Sequence, residues 1–297
     1  MRFVKAHGAG NDFVLLPDFG NELALSPALV RGLCDRHTGI GADGVIRLAP
    51  GRDGTDVFMD YWNADGSVAE MCGNGVRCVA KYVADRGLAP GDVVHVDTRD
   101  GVKPVMVAAQ HPDGTVAAVR VAMGMPMSTG PKKVDVSPAR LVGCPWSPPL
   151  GIPGLGELAV TTEQRFTEVT TVCMGNPHAV VVVDDVEQAP VAAWGPVIEH
   201  DDAFPRGTNV EFISVPSRDR VVGRIWERGV GETQASGTGA SAMAAAAHLL
   251  DLADRKVTVV LPGGELAAEW TDEGMFITGP AVEIAEGRLR PEWLDSR

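Results

Sequence analysis

The chain has 297 residues, of which 45% are hydrophobic and 22% are charged, and this length suffices for two cores of average size. The net charge is −13 and the basic residues are scattered, so nucleic acid and anionic membranes are poor partners. The N-terminus turns polar too early for a signal peptide, and no apolar run is long enough to span a membrane.

The cysteines and histidines point away from a metal or disulfide protein. Five cysteines are an odd number, and they show no Cys-x-x-Cys spacing. This argues against both a disulfide framework and a zinc site, and it predicts a protein of the reducing cytoplasm. The seven histidines show no metal-ligand spacing either, so we expect no metal.

The first half of the chain alternates strands and helices. Glycine-containing loops separate apolar runs of strand length, and Pro27 begins a helix that we predict to end at His37. A second helix follows Cys72, where apolar residues recur at helical spacing. The strands predicted here are 3–6, 13–16, 57–62, 92–96, 102–108 and 115–121.

The second half repeats this order after a Pro- and Gly-rich segment, 125–165, that we predict to be a linker. Helices are predicted over 191–198 and 238–250. The predicted strands are 169–172, 179–183, 210–215, 221–226, 257–261, 265–270 and 275–277.

Short motifs of the two halves match in nearly one register. They are Gly10-Asn11 with Gly175-Asn176, Trp62-Asn63 with Trp226-Glu227, and Cys72-Gly73-Asn74-Gly75 with Ser236-Gly237-Thr238-Gly239, at offsets of 165 (176 − 11) or 164 (236 − 72) residues. Three matches of this kind are hard to obtain by chance. We therefore infer an internal repeat.

The repeat predicts an α/β fold of the α+β type with two pseudo-symmetric domains. Each is expected to be a mostly antiparallel sheet or barrel around a central helix. Residues 1–125, completed by the C-terminal tail 279–297, form the N-terminal half, and residues 126–278 form the C-terminal half together with the linker. The active site is expected in the cleft between them.

The pseudo-symmetry sets two helix N-termini, one after Cys72 and one after Ser236, facing each other. Unpaired N–H groups and the helix dipole favour an anion there, so a substrate carboxylate can be held from both sides. Two groups on opposite faces of one carbon can invert a stereocentre, because one removes the proton and the other delivers one. A buried structural thiol is the alternative for Cys72, and it is the better interpretation for Cys78.

Polar residues recur beside glycine in equivalent places of both halves. Taken singly, each asparagine is better explained as a turn or cap residue, but the recurrence favours a site. Arg228 can hold a distal carboxylate in a bidentate pair. His178 is either a core histidine or a group that orients an acid/base residue.

These motifs resemble those of diaminopimelate epimerases. The segments that carry the resemblance are 5–13, 36–43, 63–67, 71–78, 174–178, 207–210 and 226–229, and the match covers nearly the whole chain. The resemblance implies a cofactor-independent two-base epimerase that interconverts LL- and meso-diaminopimelate in lysine and peptidoglycan biosynthesis. It also implies a homodimer.

The resemblance further implies residue roles. Cys72 is one acid/base, and His178 and Glu227 tune the two acid/base groups. The substrate-binding residues are Asn11, Asn63, Gly73, Asn74, Asn176, Asn209, Glu227, Arg228, Gly237 and Thr238.

Ser236 departs from the family pattern, which has a second catalytic cysteine there. A hydroxyl is a far weaker acid than a thiol, so Ser236 stays protonated and can donate a proton. To act as a base it needs help from His178 or Glu227. Gly44 is a second departure, at a position that often supplies a substrate-binding side chain.

Several explanations of Ser236 stay open. It is a substitution that disables the enzyme for study, or half of a working Cys/Ser pair, as in relatives that resemble proline racemase and hydroxyproline epimerase. Alternatively, Cys72 acts alone on another amino acid, for example in a dehydratase of a hydroxylated substrate. A different class is an amino-acid-binding protein that has lost turnover.

Overall fold

The computed structural model describes residues 1–136 and 166–294. Within these ranges the chain forms seventeen strands and five helices, none of the helices being long and apolar enough to cross a membrane. The residues divide into two compact units. Unit 1 is Met1–Ala122 with Ile277–Arg297, and unit 2 is Met123–Phe276.

Unit 1 is a mixed, mostly antiparallel arrangement of strands with three helices. Its strands are β1 (Arg2–Gly8), β2 (Asn11–Pro17), β3 (Gly44–Pro50), β4 (Val57–Asn63), β5 (Val93–Thr98), β6 (Gly101–Gln110), most of β7 (Val116–Gly124) and β17 (Val282–Arg288), and its helices are α1 (Pro27–Cys34), α2 (Gly73–Asp85) and α5 (Pro291–Leu294). Antiparallel pairs are β1–β2, β1–β17, β3–β4, β5–β6 and β6–β7, and parallel pairs are β2–β3 and β4–β5.

Unit 2 follows the same plan. Its elements are β8 (Met127–Asp135), β9 (Phe166–Cys173), β10 (Pro177–Val182), α3 (Val191–Glu199), β11 (Asn209–Ser217), β12 (Arg220–Glu227), β13 (Gly231–Thr233), α4 (Gly237–Leu249), β14 (Lys256–Leu261) and β15 (Gly264–Thr271). Strand β16 (Gly274–Pro280) starts in unit 2 and continues into unit 1. The pairs β8–β9, β9–β10, β11–β12, β12–β13 and β14–β15 are antiparallel, and β10–β11 and β12–β14 are parallel.

The internal repeat inferred from the sequence is confirmed by strand register. Phe13 pairs with Gly44 across β2–β3, and His178 pairs with Asn209 across β10–β11, each partner displaced by 165 residues (178 − 13 and 209 − 44). Helices α2 and α4 each have 13 residues and are offset by 164 (237 − 73). The α+β class and the two-part organisation are therefore present.

Each unit has one helix buried on nearly its whole circumference. Every residue of 73–83 in α2 is buried, and so are Gly237 and 239–247 in α4. Helix α2 contacts β1, β2, β4, β5, β6 and β17, and α4 contacts β9, β10, β11, β12, β14 and β15. A helix that is buried all round belongs inside a core, which confirms the predicted central helices.

Some predicted element boundaries were wrong. Helix α1 ends at Cys34 rather than His37, because the Asp35 side chain accepts the backbone N–H groups of His37 and Thr38 and this local turn competes with the helix. Strands β3, β13 and β17 and helix α5 were not predicted. Strand β13 and helix α5 have only three and four residues, too few to show a periodic pattern.

The segment predicted as a linker begins with a strand. Strand β8 pairs with β9 from Met127 opposite Cys173 to Asp135 opposite Phe166. Its sequence is polar and contains Gly130 and Pro131, so the pairing partner rather than propensity makes it a strand. Residues 137–165 of the predicted linker lie outside the described residues.

Candidate active site

Cys72 occupies the N-cap of α2, as predicted. Its backbone is extended, with φ −141° and ψ 117°, and its side chain does not cap the helix. The thiol Sγ lies 3.7 Å from Asn11 Oδ1, which accepts its weak hydrogen bond. The close packing needs glycine at position 75, since a Cβ there would lie 2.8 Å from the ends of both Ile46 and Met59. The thiol therefore sits beside the helix N-terminal amides, where anions are stabilised.

Two asparagines next to Cys72 are held in fixed orientations. Asn74 Nδ2 donates to Asn11 Oδ1 at 3.1 Å, and Asn11 Nδ2 donates to Asp43 Oδ2 at 2.8 Å. The buried Arg77 donates to Asn74 Oδ1 at 2.8 Å. The structure thus brings Asn11, Gly73 and Asn74 together with the thiol, and it adds Asp43 and Arg77, which sequence reasoning did not assign to the site.

A cluster of charged side chains holds the loop that carries Asn11. Asp12 pairs with Lys5 and with Arg36 at 2.5 and 2.8 Å, and Arg36 also pairs with Asp43 at 2.7 Å. Although burial raises the pKa of Asp12, hydrogen bonds from Arg36 and Lys5 outweigh it and hold that pKa well below its usual range. Asp12 is therefore an ionised anchor for the loop that carries Asn11.

Asn63 and Gly44 face each other on β4 and β3. Asn63 Nδ2 donates to Ser67 Oγ at 3.0 Å within the polar loop. A Cβ at Gly44 would lie 2.7 Å from the Trp62 carbonyl oxygen and 2.7 Å from Tyr61 Cε2. The absence of a side chain at 44 is thus a packing requirement of this sheet.

The two other thiols of unit 1 differ from Cys72, since neither lies at a helix N-terminus. Cys34 and Cys78 are buried, and burial raises the pKa of each thiol to about 12. This agrees with the prediction that Cys78 is a structural thiol.

Ser236 occupies in α4 the position that Cys72 has in α2. Its φ of −139° and ψ of 131° are nearly the same, but its Oγ accepts the Gly239 backbone N–H at 3.2 Å and so caps the helix. Thr238 Oγ1 lies 3.3 Å from Ser236 Oγ. Gly237 and Thr238 begin the helix, as the sequence predicted. A serine N-cap is common in helices, so capping alone assigns no catalytic role to this hydroxyl.

His178 is joined to a residue that sequence reasoning missed. Its Nδ1 lies 2.6 Å from Glu211 Oε1, and its Nε2 lies 2.9 Å from Asn176 Oδ1. Both side chains of the His178–Glu211 pair are fully buried, and burial raises the pKa of Glu211. The one signal in the sequence was an acidic residue inside the apolar run of β11.

The remaining predicted residues of unit 2 lie around the ends of β11 and β12. Asn209 Oδ1 accepts the Arg228 backbone N–H at 3.0 Å, and Asn209 Nδ2 donates to the Pro177 carbonyl at 3.0 Å. Glu227 Oε1 accepts a hydrogen bond of 2.6 Å from Thr233 Oγ1.

A second carboxylate that sequence reasoning missed, Glu199, holds the turn that follows β12. It accepts hydrogen bonds of 2.8 Å from Trp226 Nε1 and from the Gly229 backbone. Glu199 is 5% exposed, so this buried carboxylate fixes the position of the segment that carries Glu227 and Arg228.

The sequence matches a protein-family model and several relatives over most of its length. The family model described as "Diaminopimelate epimerase" matches residues 3–128 and 170–284. Diaminopimelate epimerase of Moorella thermoacetica is 44% identical over 97% of this chain and 98% of its own, and diaminopimelate epimerase 1 of a Nostoc species is 41% identical over 97% and 99%.

The fold is also found among solved structures. A structure described as a predicted epimerase from Pseudomonas aeruginosa aligns with a TM-score of 0.68 and 17% identity over 97% of this chain and 98% of its own. This likeness shows a shared fold. The family itself is shown by the family model and by the relatives that are more than 40% identical. The chain belongs to the diaminopimelate epimerase family.

Proposed function

We propose that this chain is a cofactor-independent epimerase that interconverts LL- and meso-diaminopimelate. The observation that carries the proposal is the placement of Cys72 and Ser236 at the same N-cap position of two equivalent helices. Each half thereby supplies one group that can transfer a proton, next to amides that can bind a carboxylate. Family membership supports the substrate.

The proposed reaction starts with the Cys72 thiolate, which removes the α-proton from one face of the substrate. The negative charge that develops on the α-carbon and its carboxylate is stabilised by the N-terminal amides of the helices. Ser236 Oγ–H then donates a proton from the opposite face. The Gly239 N–H already donates to Ser236 Oγ, and this hydrogen bond partly stabilises the alkoxide that the proton transfer leaves.

The reverse direction requires Ser236 to act as the base. Serine needs a proton acceptor for this. Of the two candidates that the family resemblance supplies, His178 has both ring nitrogens engaged, by Glu211 and by Asn176, so we assign this role to Glu227. Because a hydroxyl is a far weaker acid than a thiol, we expect the chain to be slower than a two-cysteine enzyme. We also propose that Asn63, Asn209, Glu227 and Arg228 hold the distal amino and carboxylate groups.

We further propose a homodimer in the cytoplasm. The four cysteines of the described residues are free thiols, as in proteins of reducing compartments. Sedimentation velocity tests the dimer, and a monomer at micromolar concentration contradicts it.

The test is a variant series assayed for conversion of LL- to meso-diaminopimelate by chiral chromatography. Cys72→Ala should lower kcat by about 10²- to 10⁴-fold, the contribution of one acid/base group. Cys78→Ala is the matched control and should retain activity, since that thiol is buried. Ser236→Cys should raise the rate in both directions. Equal activity of Cys72→Ala and the parent chain would contradict the proposal.

A further inference from the structure

Two asparagines in equivalent loops, Asn11 and Asn176, are held with opposite amide orientations. Asn11 Nδ2 is bound by the Asp43 carboxylate at 2.8 Å, and its Oδ1 accepts from Asn74. In Asn176 it is the oxygen that is bound, because Oδ1 lies 2.9 Å from His178 Nε2. The group of Asn176 that is left for a ligand is therefore its NH₂.

The orientation of Asn176 depends on the protonation of His178. If Nε2 carries a proton it donates to Asn176 Oδ1; if it does not, it accepts from Asn176 Nδ2 and the amide turns over. The neighbour that decides between these states is Glu211, which lies 2.6 Å from Nδ1.

The surroundings of the pair favour one state. Both side chains are fully buried, and Glu211 Oε2 has no hydrogen-bond partner among the residues that the structure describes. A buried net charge without further partners is costly, so the pair is neutral as a whole. It is then either imidazolium with carboxylate or neutral imidazole with a protonated carboxyl group. In both forms Nε2 carries a proton.

We propose that Glu211 is a positioning residue that, through His178, locks the Asn176 amide with its NH₂ group turned to a carboxylate of the substrate. This rests on the proposed function for the identity of the substrate. It gives His178 a role beyond tuning an acid/base group. It also makes the Glu211–His178–Asn176 chain a determinant of specificity, since an NH₂ group donates hydrogen bonds to a carboxylate and has no acceptor to offer an ammonium group.

Among the described residues of unit 1 there is no equivalent of this hydrogen-bonded chain. The residues equivalent to His178 and Glu211 are Phe13 and Ile46, both at an offset of 165 (178 − 13 and 211 − 46) and both fully buried. Asp43 orients Asn11 instead. In unit 1 both ends of the Asn11 amide are thus bound within the protein, the NH₂ by Asp43 and Oδ1 by Asn74, whereas in unit 2 the Asn176 oxygen is bound and its NH₂ is left for a ligand. This difference allows them to receive different groups of an amino-acid substrate.

The test uses the full chain with ¹⁵N-labelled histidine and reads the protonation of the His178 nitrogens by long-range ¹H–¹⁵N correlation at neutral pH. In the parent chain Nε2 should be fully protonated. In Glu211→Gln the new amide can donate to Nδ1 or accept from it, so His178 should populate both tautomers. Asp18→Asn, which neutralises a buried carboxylate of unit 1, is the matched control and should leave the His178 signals unchanged.

Binding supplies the second readout. Glu211→Gln should raise KM for diaminopimelate about fivefold, the equivalent of about one neutral hydrogen bond, while kcat changes less. Asn176→Asp should raise KM although His178 keeps a protonated Nε2, because a carboxylate accepts that bond but offers no donor. A purely structural role for Glu211 would lower stability and leave the KM-to-kcat balance unchanged.

Two results would overturn the inference. One is an unprotonated Nε2 in the parent chain, which needs no variant and so is decisive even if Glu211→Gln fails to fold. The other is unchanged His178 signals and unchanged KM in a folded Glu211→Gln. Because the signals are read without substrate, a chain that shows them but does not turn over diaminopimelate refutes the proposed function instead.

Discussion

Asp43→Asn is the substitution that most sharply tests how the Cys72 side of the site is held. Asp43 Oδ2 accepts from Asn11 Nδ2 at 2.8 Å and from the Asp12 backbone N–H at 3.1 Å, and Asp43 Oδ1 accepts from Arg36 at 2.7 Å. Asparagine has the same shape but only one oxygen. Whichever way the new amide turns, its NH₂ group meets a donor.

The magnitude follows from these contacts. Hydrogen bonds to a charged acceptor contribute about 1.5–3 kcal/mol, and the lower end applies because the Asp43 side chain is 41% exposed. If the mismatch falls on Asn11, its amide turns over and the thiol of Cys72 loses its acceptor. A loss of about 1.4 kcal/mol corresponds to a tenfold lower kcat/KM. Folding should be weakened by only about 1 kcal/mol, since the Arg36 pair is largely solvated.

The assay compares kcat/KM and urea unfolding of Asp43→Asn with those of Asp35→Asn. Asp35 is an exposed carboxylate in the same loop, and it accepts the backbone N–H groups of His37 and Thr38, so its variant should lose less than twofold in kcat/KM. If the two variants have equal kcat/KM, or if Asp43→Asn is inactive only because it unfolds, the reasoning about Asn11 is refuted.

Two further predictions concern unit 1. Gly44→Ala should lower the free energy of unfolding by about 3 kcal/mol, because its Cβ meets the Trp62 carbonyl and the Tyr61 ring at 2.7 Å; urea denaturation measures this, and a cost below about 1 kcal/mol would contradict it. The lowered pKa of Asp12 contributes stability that is fully present above the ordinary carboxyl pKa of 3.8 and is lost as pH falls further. The stability difference between the parent chain and Asp12→Asn should therefore shrink between pH 5 and the lowest pH at which the chain folds, and a constant difference would refute the assignment.

The repeat and the helix starts could be predicted from the sequence because they depend on local chemistry. Glycine spacing marked the N-termini at Cys72 and Ser236, and the near-constant offset of about 164 residues tied them together. Both helices begin where the motifs place them. Strand cores with clear apolar runs were found for the same reason.

The contact of Glu211 with His178 could not be predicted, because it depends on the register between two strands. His178 pairs with Asn209 across β10–β11, and Glu211 lies two residues further along, on the same face of β11 as Asn209. Only this register brings the carboxylate to His178. In sequence, an acidic residue within a strand indicates a solvated face, and Glu211 is fully buried.

The most direct test of the central claim follows the α-proton itself. LL- and meso-diaminopimelate are incubated separately with the chain in D₂O, and the products are analysed for deuterium and chirality. Two-sided transfer by Cys72 and Ser236 predicts deuterium incorporation with inversion from both isomers. Exchange without inversion from one isomer would mean that Cys72 works and Ser236 does not. Saturable binding with no exchange from either isomer would contradict the account and leave an amino-acid-binding protein.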